Sequence, residues 1–257
     1  MLNFLLPVTL SNKWGDEDER IRLQRDAFAM FAPGSTIVVV APKDEVGTIR
    51  KILQTEELRY VFVSEESIIL WPHSWKWYRQ QQIKLYADAV IGGEFVITID
   101  SDIIPARSLR DRDFFSEGKA FVSLQPSHLA PWQSIEWMKN TAALLSYPVF
   151  PDVWPVTPCV YAMPILSYAR EMFRPHLLHE RKGWSEHAVY HYAAVKSELM
   201  DKLHQRTDKP ACAFIDSIGA LDLNDFEEGV PPFLCASSHR GFSPVYLRKK
   251  LASLGVV

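Results

Sequence analysis

Two aspartates, Asp100 and Asp102, directly follow the apolar segment 95–99, which has the composition of a buried strand. Sheets of α/β proteins bind ligands at the carboxyl ends of their strands, so both carboxylates are predicted to lie at a ligand-binding edge. Carboxylate oxygens are hard ligands, and a divalent cation held by them could neutralise the charge of a diphosphate. Because Asp is also common in turns, the alternative is a simple turn before Pro105. The position after a continuous apolar strand favours the metal site.

A polar face is predicted on a helix that runs from about Trp75 to Ile91. Lys84 follows Gln80 by four residues and Gln81 by three, so the three side chains lie on one face of that helix. Their amide and ammonium groups could converge on an anionic ligand. The alternative is a solvated polar face that binds nothing.

Apolar segments alternate with helical patterns through the first half of the chain. The predicted strands are Asn3 to Leu10, Ser35 to Ala41, Tyr60 to Ser64, Phe95 to Ile99, Ala120 to Leu124 and Pro158 to Met163. Helices are predicted from Asp16 or Asp18 to Pro33, from Asp44 onwards, and over 75–91, 131–145 and 185–204. Several strands are apolar throughout, which is typical of strands buried on both faces of a mostly parallel sheet. The order βαβαβαβ predicts an α/β fold with a twisted, doubly wound sheet flanked by helices.

The composition limits the kind of protein. The chain has 257 residues, of which 47% are hydrophobic and 23% charged, so a single compact domain over 1–257 is expected. The net charge of −3 disfavours nucleic acid as a partner. No apolar run approaches the roughly 20 residues of a membrane-spanning helix. The apolar N-terminus lacks the basic start of a signal peptide, so we expect a cytoplasmic protein with no transmembrane segment.

Four motifs together resemble the GT-A superfamily of nucleotide-sugar glycosyltransferases, and more closely a glycosyltransferase-like family of bacteria and large viruses. They are WYRQQQIKL at 77–85, IDSD at 99–102, GWSE at 183–186 and the pair Ser238-His239. The resemblance covers most of the chain and is clearest in its first half. It implies a GT-A-like (Rossmann-like) domain in which residues 1–105 bind the nucleotide-sugar and residues 106–257 bind the acceptor.

The resemblance also implies which residues surround the donor. Lys84 would reach the nucleotide-sugar, with Gln80, Gln81, Asp100 and Ser101 near it. The loops after the first two strands would receive the base and the ribose through Pro7, Val8, Thr9 and Asp44. A simpler role for Asp44 is to cap the helix that follows it.

The metal implied by the resemblance is Mn²⁺ or Mg²⁺, bound by Asp100, Asp102 and His239. A neutral imidazole suits manganese beside carboxylates, and Arg240, next to this histidine, would contact the diphosphate. The other histidines, among them His187 and His191, lie in no comparable context.

Glu186 is the predicted catalytic residue. In the families that the chain resembles, an acidic residue at such a helix start faces the acceptor as general base. The helix dipole favours an ionised carboxylate there, which could take a proton from an acceptor hydroxyl. Glu in a first helical turn also stabilises a helix without any catalytic role, and this is the alternative.

These features predict a metal-dependent glycosyltransferase. It would move a hexose or pentose from a nucleotide-diphosphate sugar, with a UDP-sugar as the first expectation, to a glycan or another hydroxyl acceptor. Inversion is favoured because Glu186 offers a base for direct displacement, and retention stays open. A sugar nucleotidyltransferase is less favoured, since no Gly-rich basic loop follows the first strand. Two further alternatives are a glycosidase that uses Asp102 and Glu186 as its carboxylate pair, and a non-catalytic nucleotide- or glycan-binding module.

Overall fold

The computed structural model describes residues 2–10, 17–68, 76–155, 157–177, 183–214, 231–236 and 243–253. The strands are β1 (Asn3–Pro7), β2 (Thr36–Ala41), β3 (Arg59–Ser64), β4 (Phe95–Thr98), β5 (Ile103–Pro105), β6 (Phe115–Ser116), β7 (Lys119–Val122), β8 (Gln125–Pro126), β9 (Asp152–Val153), β10 (Cys159–Ala162), β11 (His204–Arg206), β12 (Cys212–Phe214) and β13 (Phe233–Cys235). The helices are α1 (Glu17–Phe31), α2 (Val46–Leu53), α3 (Lys76–Leu85), α4 (Trp132–Leu145), α5 (Met163–Leu177), α6 (Glu186–Lys196), α7 (Met200–Leu203) and α8 (Pro244–Ser253).

The central sheet has five strands in the order β10-β4-β1-β2-β3. β1, β2, β3 and β4 are parallel, and β10 is antiparallel to β4, with Val160 opposite Ile97. The predicted doubly wound α/β fold is therefore confirmed, with one antiparallel strand added at the edge. Because β4 lies on the opposite side of β1 from β2, the strand order reverses between β1 and β4. A reversal of this kind opens a ligand crevice at the carboxyl ends of the strands.

The apolar runs of the strands are buried on both faces of the sheet. Alternate residues of β1 supply opposite sides, with Leu5 in one core and Phe4 in the other. The Leu5 side packs against α3, α5 and α6, and the Phe4 side packs against α1 and α2. Strands covered by helices on both faces have no solvent-facing residues to alternate with apolar ones, which explains their continuously apolar sequences.

A second, three-stranded sheet lies beside the aspartate motif. Its order is β12-β13-β5, and β13 is antiparallel to β5, with Cys235 opposite Ile103. Since β5 begins directly after Asp102, this pairing brings the end of β13 to the motif.

Two predicted helices are shorter than expected. The helix predicted over 75–91 ends at Leu85, and a 3₁₀ turn follows at Ala87–Ala89, where Asp88 pairs with Arg170 of α5. The helix predicted over 185–204 ends at Lys196, because Glu198 has a φ of 58°, a left-handed conformation that an α-helix cannot contain. The chain then forms α7 and β11, in which His204 pairs with Ala120 of β7.

Candidate active site

The aspartate motif forms a tight turn between β4 and β5. The backbone N–H of Ile99 continues the sheet by donating to Leu5 O at 3.0 Å, and that of Ile103 donates to Asp100 O at 3.0 Å. Asp100, Ser101 and Asp102 are half-buried on this turn. As predicted, the turn lies at the carboxyl end of a buried parallel strand.

One face of α1 holds the turn in place. The Gln24 side chain donates from Nε2 to Asp100 O and to Ile103 O, both at 2.7 Å. Arg20, one turn earlier on α1, donates to Ala236 O at 3.1 Å, and the N–H of Ala236 donates to Asp102 O at 2.8 Å. None of these contacts is predicted from the sequence, because the pattern of α1 indicates only an amphipathic helix.

Glu17, in the first turn of α1, adds a third carboxylate near the motif. Its side chain is buried and hydrogen-bonds Ser101. Burial raises the pKa of Glu17, and the nearby charges of Asp102 and Asp100 raise it further. The two aspartates of the motif therefore disfavour a further negative charge on Glu17.

The Asp100 carboxylate accepts hydrogen bonds from three side chains. Lys84 Nζ lies 2.7 Å from Oδ1, Gln80 Nε2 donates to the same oxygen at 2.6 Å, and the Thr157 hydroxyl donates to Oδ2. Burial alone would raise the pKa of Asp100, but the Lys84 ammonium and these hydrogen bonds outweigh it and hold the pKa below its ordinary value.

Lys84 lies between two carboxylates. Its Nζ is 2.7 Å from Asp100 Oδ1 and 3.1 Å from Glu186 Oε1, and the residue is only 3% exposed. Burial would lower the pKa of Lys84, yet the two carboxylates leave it above its ordinary value, so the side chain is an ammonium. Gln80, Gln81 and Lys84 do lie on one face of α3, as the spacing predicts. This face is turned into the protein, where Gln80 and Lys84 contact carboxylates and Gln81 contacts the backbone of Glu186.

Glu186 begins α6, as predicted. Ser185 caps the helix by accepting from the N–H of Ala188 at 3.2 Å, and the N–H of Glu186 donates to Gln81 Oε1 at 2.8 Å. Lys84 Nζ and His187 Nε2 both contact Glu186 Oε1, at 3.1 Å and 3.3 Å. Within the described ranges of the chain, no group hydrogen-bonds Oε2.

His187, for which the sequence predicts no role, is buried behind Glu186. Its Nδ1 lies 2.7 Å from the Tyr161 hydroxyl and 3.7 Å from Cys159 Sγ, both on β10. Burial is the main reason that the pKa of His187 is lowered, which favours the neutral imidazole.

The loops after β1 and β2 are tied together by a residue that sequence reasoning missed. Glu45 accepts from the Thr9 hydroxyl at 3.2 Å and from the N–H of Leu10 at 2.6 Å. Glu45 is also the N-cap residue of α2, so the prediction that Asp44 caps this helix is wrong. Asp44 is exposed, whereas Pro7 and Val8 are buried. A role of these loops in binding base and ribose stays a prediction.

A small cleft opens on the other side of His187, between α4, β9 and the start of α6. Its cavity volume is about 10 Å³, room for about one water molecule, and Trp137, Trp154, Ser185 and His187 contribute to its walls. It is smaller than the roughly 300–1,000 Å³ of typical small-molecule sites. It lies beside Glu186, in the half of the chain predicted to bind the acceptor.

Two predicted site residues, His239 and Arg240, lie outside the described residues. In the part of the chain that the structure covers, no three His, Cys, Asp or Glu side chains are grouped so that they could hold a metal ion. In that same part, no helix combines the length and apolar character needed to cross a membrane.

A family model described as "Family of unknown function (DUF6492)" matches residues 1–219. No curated protein sequence matches the chain.

Solved structures share the fold at low sequence identity. Mouse xyloside xylosyltransferase 1 in its apo form superposes with a TM-score of 0.55 at 8% identity, over 93% of this chain and 98% of that one. The glycosyltransferase GlyE of Streptococcus pneumoniae TIGR4 superposes with a TM-score of 0.54 at 12% identity, over 99% of this chain. The chain spans 61% of the length of GlyE. The fold is therefore GT-A-like, with a mostly parallel central sheet flanked by helices.

Proposed function

The chain belongs to the DUF6492 family of unknown function, and we propose that it is a metal-dependent glycosyltransferase. It transfers a hexose or pentose from a nucleotide-diphosphate sugar to a hydroxyl group of a glycan or similar acceptor. The observation that carries the proposal is the buried contact that joins the aspartate motif to Glu186 through Lys84. A transfer enzyme needs both halves of this arrangement, one for the leaving diphosphate and one for the attacking hydroxyl. The glycosyltransferases that share the fold support the same conclusion.

The chemistry of the motif fits a hard divalent cation, Mn²⁺ or Mg²⁺. A carboxylate offers about four acceptor positions, and Asp100 uses three of them for Lys84, Gln80 and Thr157. One position on Asp100 therefore stays for a cation, and Asp102 would be the main direct ligand. Repulsion between Glu17 and the two aspartates of the motif also favours a cation, which would relieve it. When bound, the cation would neutralise the charge that develops on the diphosphate.

The third ligand that we propose is His239. Ala236, three residues before it in the sequence, hydrogen-bonds the backbone of Asp102 at 2.8 Å. Arg240 follows and would contact the diphosphate. The base and ribose would lie over the loops that contain Pro7, Val8, Thr9 and Asp44, with a UDP-sugar as the first donor to test.

Glu186 would act as the general base of an inverting transfer. Oε1 is occupied by Lys84 and His187, so Oε2 is the oxygen that would take the proton of the acceptor hydroxyl. As that proton leaves, the acceptor oxygen forms a bond to the anomeric carbon of the sugar. The bond from this carbon to the diphosphate breaks, its electron pair leaves with the nucleoside diphosphate, and the configuration inverts. Lys84 keeps Glu186 and Asp100 at a fixed separation through both contacts.

A panel of nucleotide-sugars tests the proposal without knowledge of the acceptor. The full chain is incubated with each donor and Mn²⁺, and release of the nucleoside diphosphate by slow hydrolysis is measured, with EDTA as control. We expect one donor or a few donors of one base to be hydrolysed, and only with metal. Metal-independent hydrolysis of glycans, or tight nucleotide binding with no turnover of any donor, would overturn it in favour of a glycosidase or a binding module.

A further inference from the structure

We propose that Tyr161 and His187 are positioning residues that fix the Glu186 carboxylate, an inference that rests on the proposed function. Neither residue is among those predicted to bind the donor or the metal, although His187 also lines the small cleft beside Glu186. Both act on Glu186 through one hydrogen bond and one close contact: the Tyr161 hydroxyl hydrogen-bonds His187 Nδ1, and His187 Nε2 lies next to Glu186 Oε1.

The link to Glu186 consists of one short hydrogen bond and one longer contact. His187 Nε2 lies 3.3 Å from Glu186 Oε1, and His187 Nδ1 lies 2.7 Å from the Tyr161 hydroxyl. Tyr161 is fully buried and its ring stacks on that of Tyr190 at a centroid distance of 4.2 Å. The hydroxyl that reaches His187 is therefore held by a rigid strand and an aromatic stack.

The orientation of the imidazole follows from the groups that it faces. A carboxylate oxygen can only accept, so the 3.3 Å contact with Glu186 Oε1 favours an N–H rather than a lone pair on His187 Nε2. A neutral imidazole carries one N–H, which makes Nδ1 the acceptor and the Tyr161 hydroxyl the donor. The Cys159 thiol lies 3.7 Å from Nδ1, but it donates to Pro155 O, with 3.0 Å between the sulfur and the oxygen. His187 is thus fixed as the Nε2–H tautomer.

This arrangement explains how two consecutive residues of one helix contact each other. Successive side chains on an α-helix point about 100° apart and do not face each other. Here Glu186 is the first residue of α6, and the Tyr161 hydroxyl binds Nδ1 of His187 while Nε2 on the other side of the ring lies beside Glu186 Oε1. Oε1 is then held from two sides, by Lys84 and His187, which fixes the orientation of Oε2.

A spectroscopic test measures the tautomer directly. The full chain is labelled with ¹⁵N-histidine, and the His187 signals are identified by their absence from His187→Gln. Long-range ¹H–¹⁵N spectra at neutral pH are expected to show the Nε2–H tautomer in the unmodified chain and a tautomer mixture in Tyr161→Phe. An Nδ1–H tautomer or an imidazolium in the unmodified chain would overturn the inference.

A kinetic test uses a matched tyrosine as control. Tyr161→Phe keeps the ring stack and removes the hydroxyl, and it should lower kcat for transfer by about 10- to 100-fold with the donor KM unchanged. Tyr190→Phe removes an equally buried hydroxyl, which accepts from the N–H of Ala162 at 2.7 Å and contacts His204. It should keep the kcat of the unmodified chain. Equal kcat values for the two variants would overturn the positioning role.

The two tests separate failure of this inference from failure of the proposed function. If no donor is turned over by the unmodified chain, the proposed function fails, and the tautomer of His187 still decides whether Tyr161 and His187 fix Glu186. If donors are turned over and Tyr161→Phe behaves like Tyr190→Phe, only the positioning role fails.

Discussion

Lys84 and Glu186 form a buried ion pair, with 3.1 Å between Nζ and Oε1, that joins α3 in the first half of the chain to α6 in the second. Both side chains are only 4% exposed. The same ammonium also contacts Asp100, so one cation holds two carboxylates. Buried charges of this kind are costly to desolvate, and removal of one partner leaves the others uncompensated. The arrangement therefore makes the stability of the fold depend on the same groups as the proposed chemistry.

The first prediction concerns the stability that depends on Lys84. Lys84→Met keeps the length of the side chain and leaves Asp100 and Glu186 without their shared cation. The free energy of unfolding should fall by about 3–5 kcal/mol, measured by urea denaturation at pH 7. Lys139→Met is the control, because Lys139 is exposed and its pair with Glu136 is a surface pair, for which about 0–1 kcal/mol is expected. A loss in Lys84→Met no larger than in the control would contradict the structure.

The second prediction concerns acid stability. Burial lowers the pKa of His191 to about 4 and that of His204 to about 4, from an ordinary value near 6.5. The unfolded chain then takes up protons at a higher pH than the folded chain does. The stability that depends on these two neutral histidines is therefore fully present above about pH 6.5 and is lost as the pH falls towards 4. One pKa unit corresponds to about 1.4 kcal/mol, so each histidine accounts for about 3 kcal/mol across this window.

His191→Phe tests this acid dependence. The His191 ring packs against Phe150 and Trp154, and its Nδ1 has no hydrogen-bond partner among the residues described, so an apolar ring suits the position. The loss of unfolding free energy between pH 7 and pH 4.5 should be smaller in this variant, by about 1–3 kcal/mol. His128→Asn changes an exposed histidine and should leave the acid dependence unaltered. Parallel pH curves for His191→Phe and the unmodified chain would refute the assignment.

The third prediction concerns the metal. Asp102→Asn keeps the shape of the side chain and removes the charge of the proposed direct ligand. Mn²⁺-dependent donor hydrolysis should be lost while the melting temperature changes little, because Asp102 is only half-buried on its turn. Asp111→Asn, at an exposed position, should keep full activity. Activity of Asp102→Asn at saturating Mn²⁺ would exclude Asp102 as a necessary ligand.

The fourth prediction concerns Gln24, which holds the aspartate turn from α1. Gln24→Leu preserves the bulk of the side chain and leaves Asp100 O and Ile103 O without the donor that lies 2.7 Å from each. The Mn²⁺ concentration for half-maximal donor hydrolysis should rise by about 10- to 100-fold, as is typical when support for metal ligands is removed. Gln133→Leu changes an exposed glutamine of α4 and should behave like the unmodified chain. The measurement is a Mn²⁺ titration at a temperature where all variants are folded.

Much of the fold follows from local sequence patterns. β2, with the sequence TIVVVA, is apolar at every position after Thr36 because both of its faces are covered, and this pattern is visible without a structure. Helical spacing likewise places Gln80, Gln81 and Lys84 on one face, and it predicts that their polar groups converge on one ligand. The turn at Asp100 and Asp102 is predicted by the strand before it.

Contacts across distant parts of the chain could not be predicted in this way. Thr157 and Tyr161 reach the site because β10 pairs antiparallel with β4, and no local pattern specifies which strand becomes the neighbour of β4. His187 follows Glu186 in sequence, where helical geometry predicts divergent side chains. It nevertheless contacts Glu186, and its other ring nitrogen contacts Tyr161, which lies on that same strand. Helix-capping patterns indicate Asp44 rather than Glu45, whose carboxylate binds the loop after β1.

The last prediction concerns Glu186 as catalytic base. Glu186→Gln keeps the size of the side chain and an oxygen that can accept from Lys84, but an amide cannot take a proton from the acceptor. Turnover in transfer should fall by about 10²- to 10⁴-fold with donor affinity nearly unchanged, because a general base acts in the transition state. Glu171→Gln, at an exposed position of α5, is the control and should retain full turnover.

The stereochemistry of the product gives an independent check on the same residue. Direct displacement by an acceptor hydroxyl that Glu186 deprotonates must invert the anomeric carbon, so ¹H NMR of the first product formed should show the configuration opposite to that of the donor. Donor affinity, measured by calorimetry with the nucleoside diphosphate and Mn²⁺, should be lost in Asp102→Asn and kept in Glu186→Gln. Retention of configuration would mean that Glu186 is not the base of a single displacement. Its role would then be limited to the ion pair with Lys84 and the start of α6. In that case Glu186→Gln would lower the free energy of unfolding and have only a small effect on turnover.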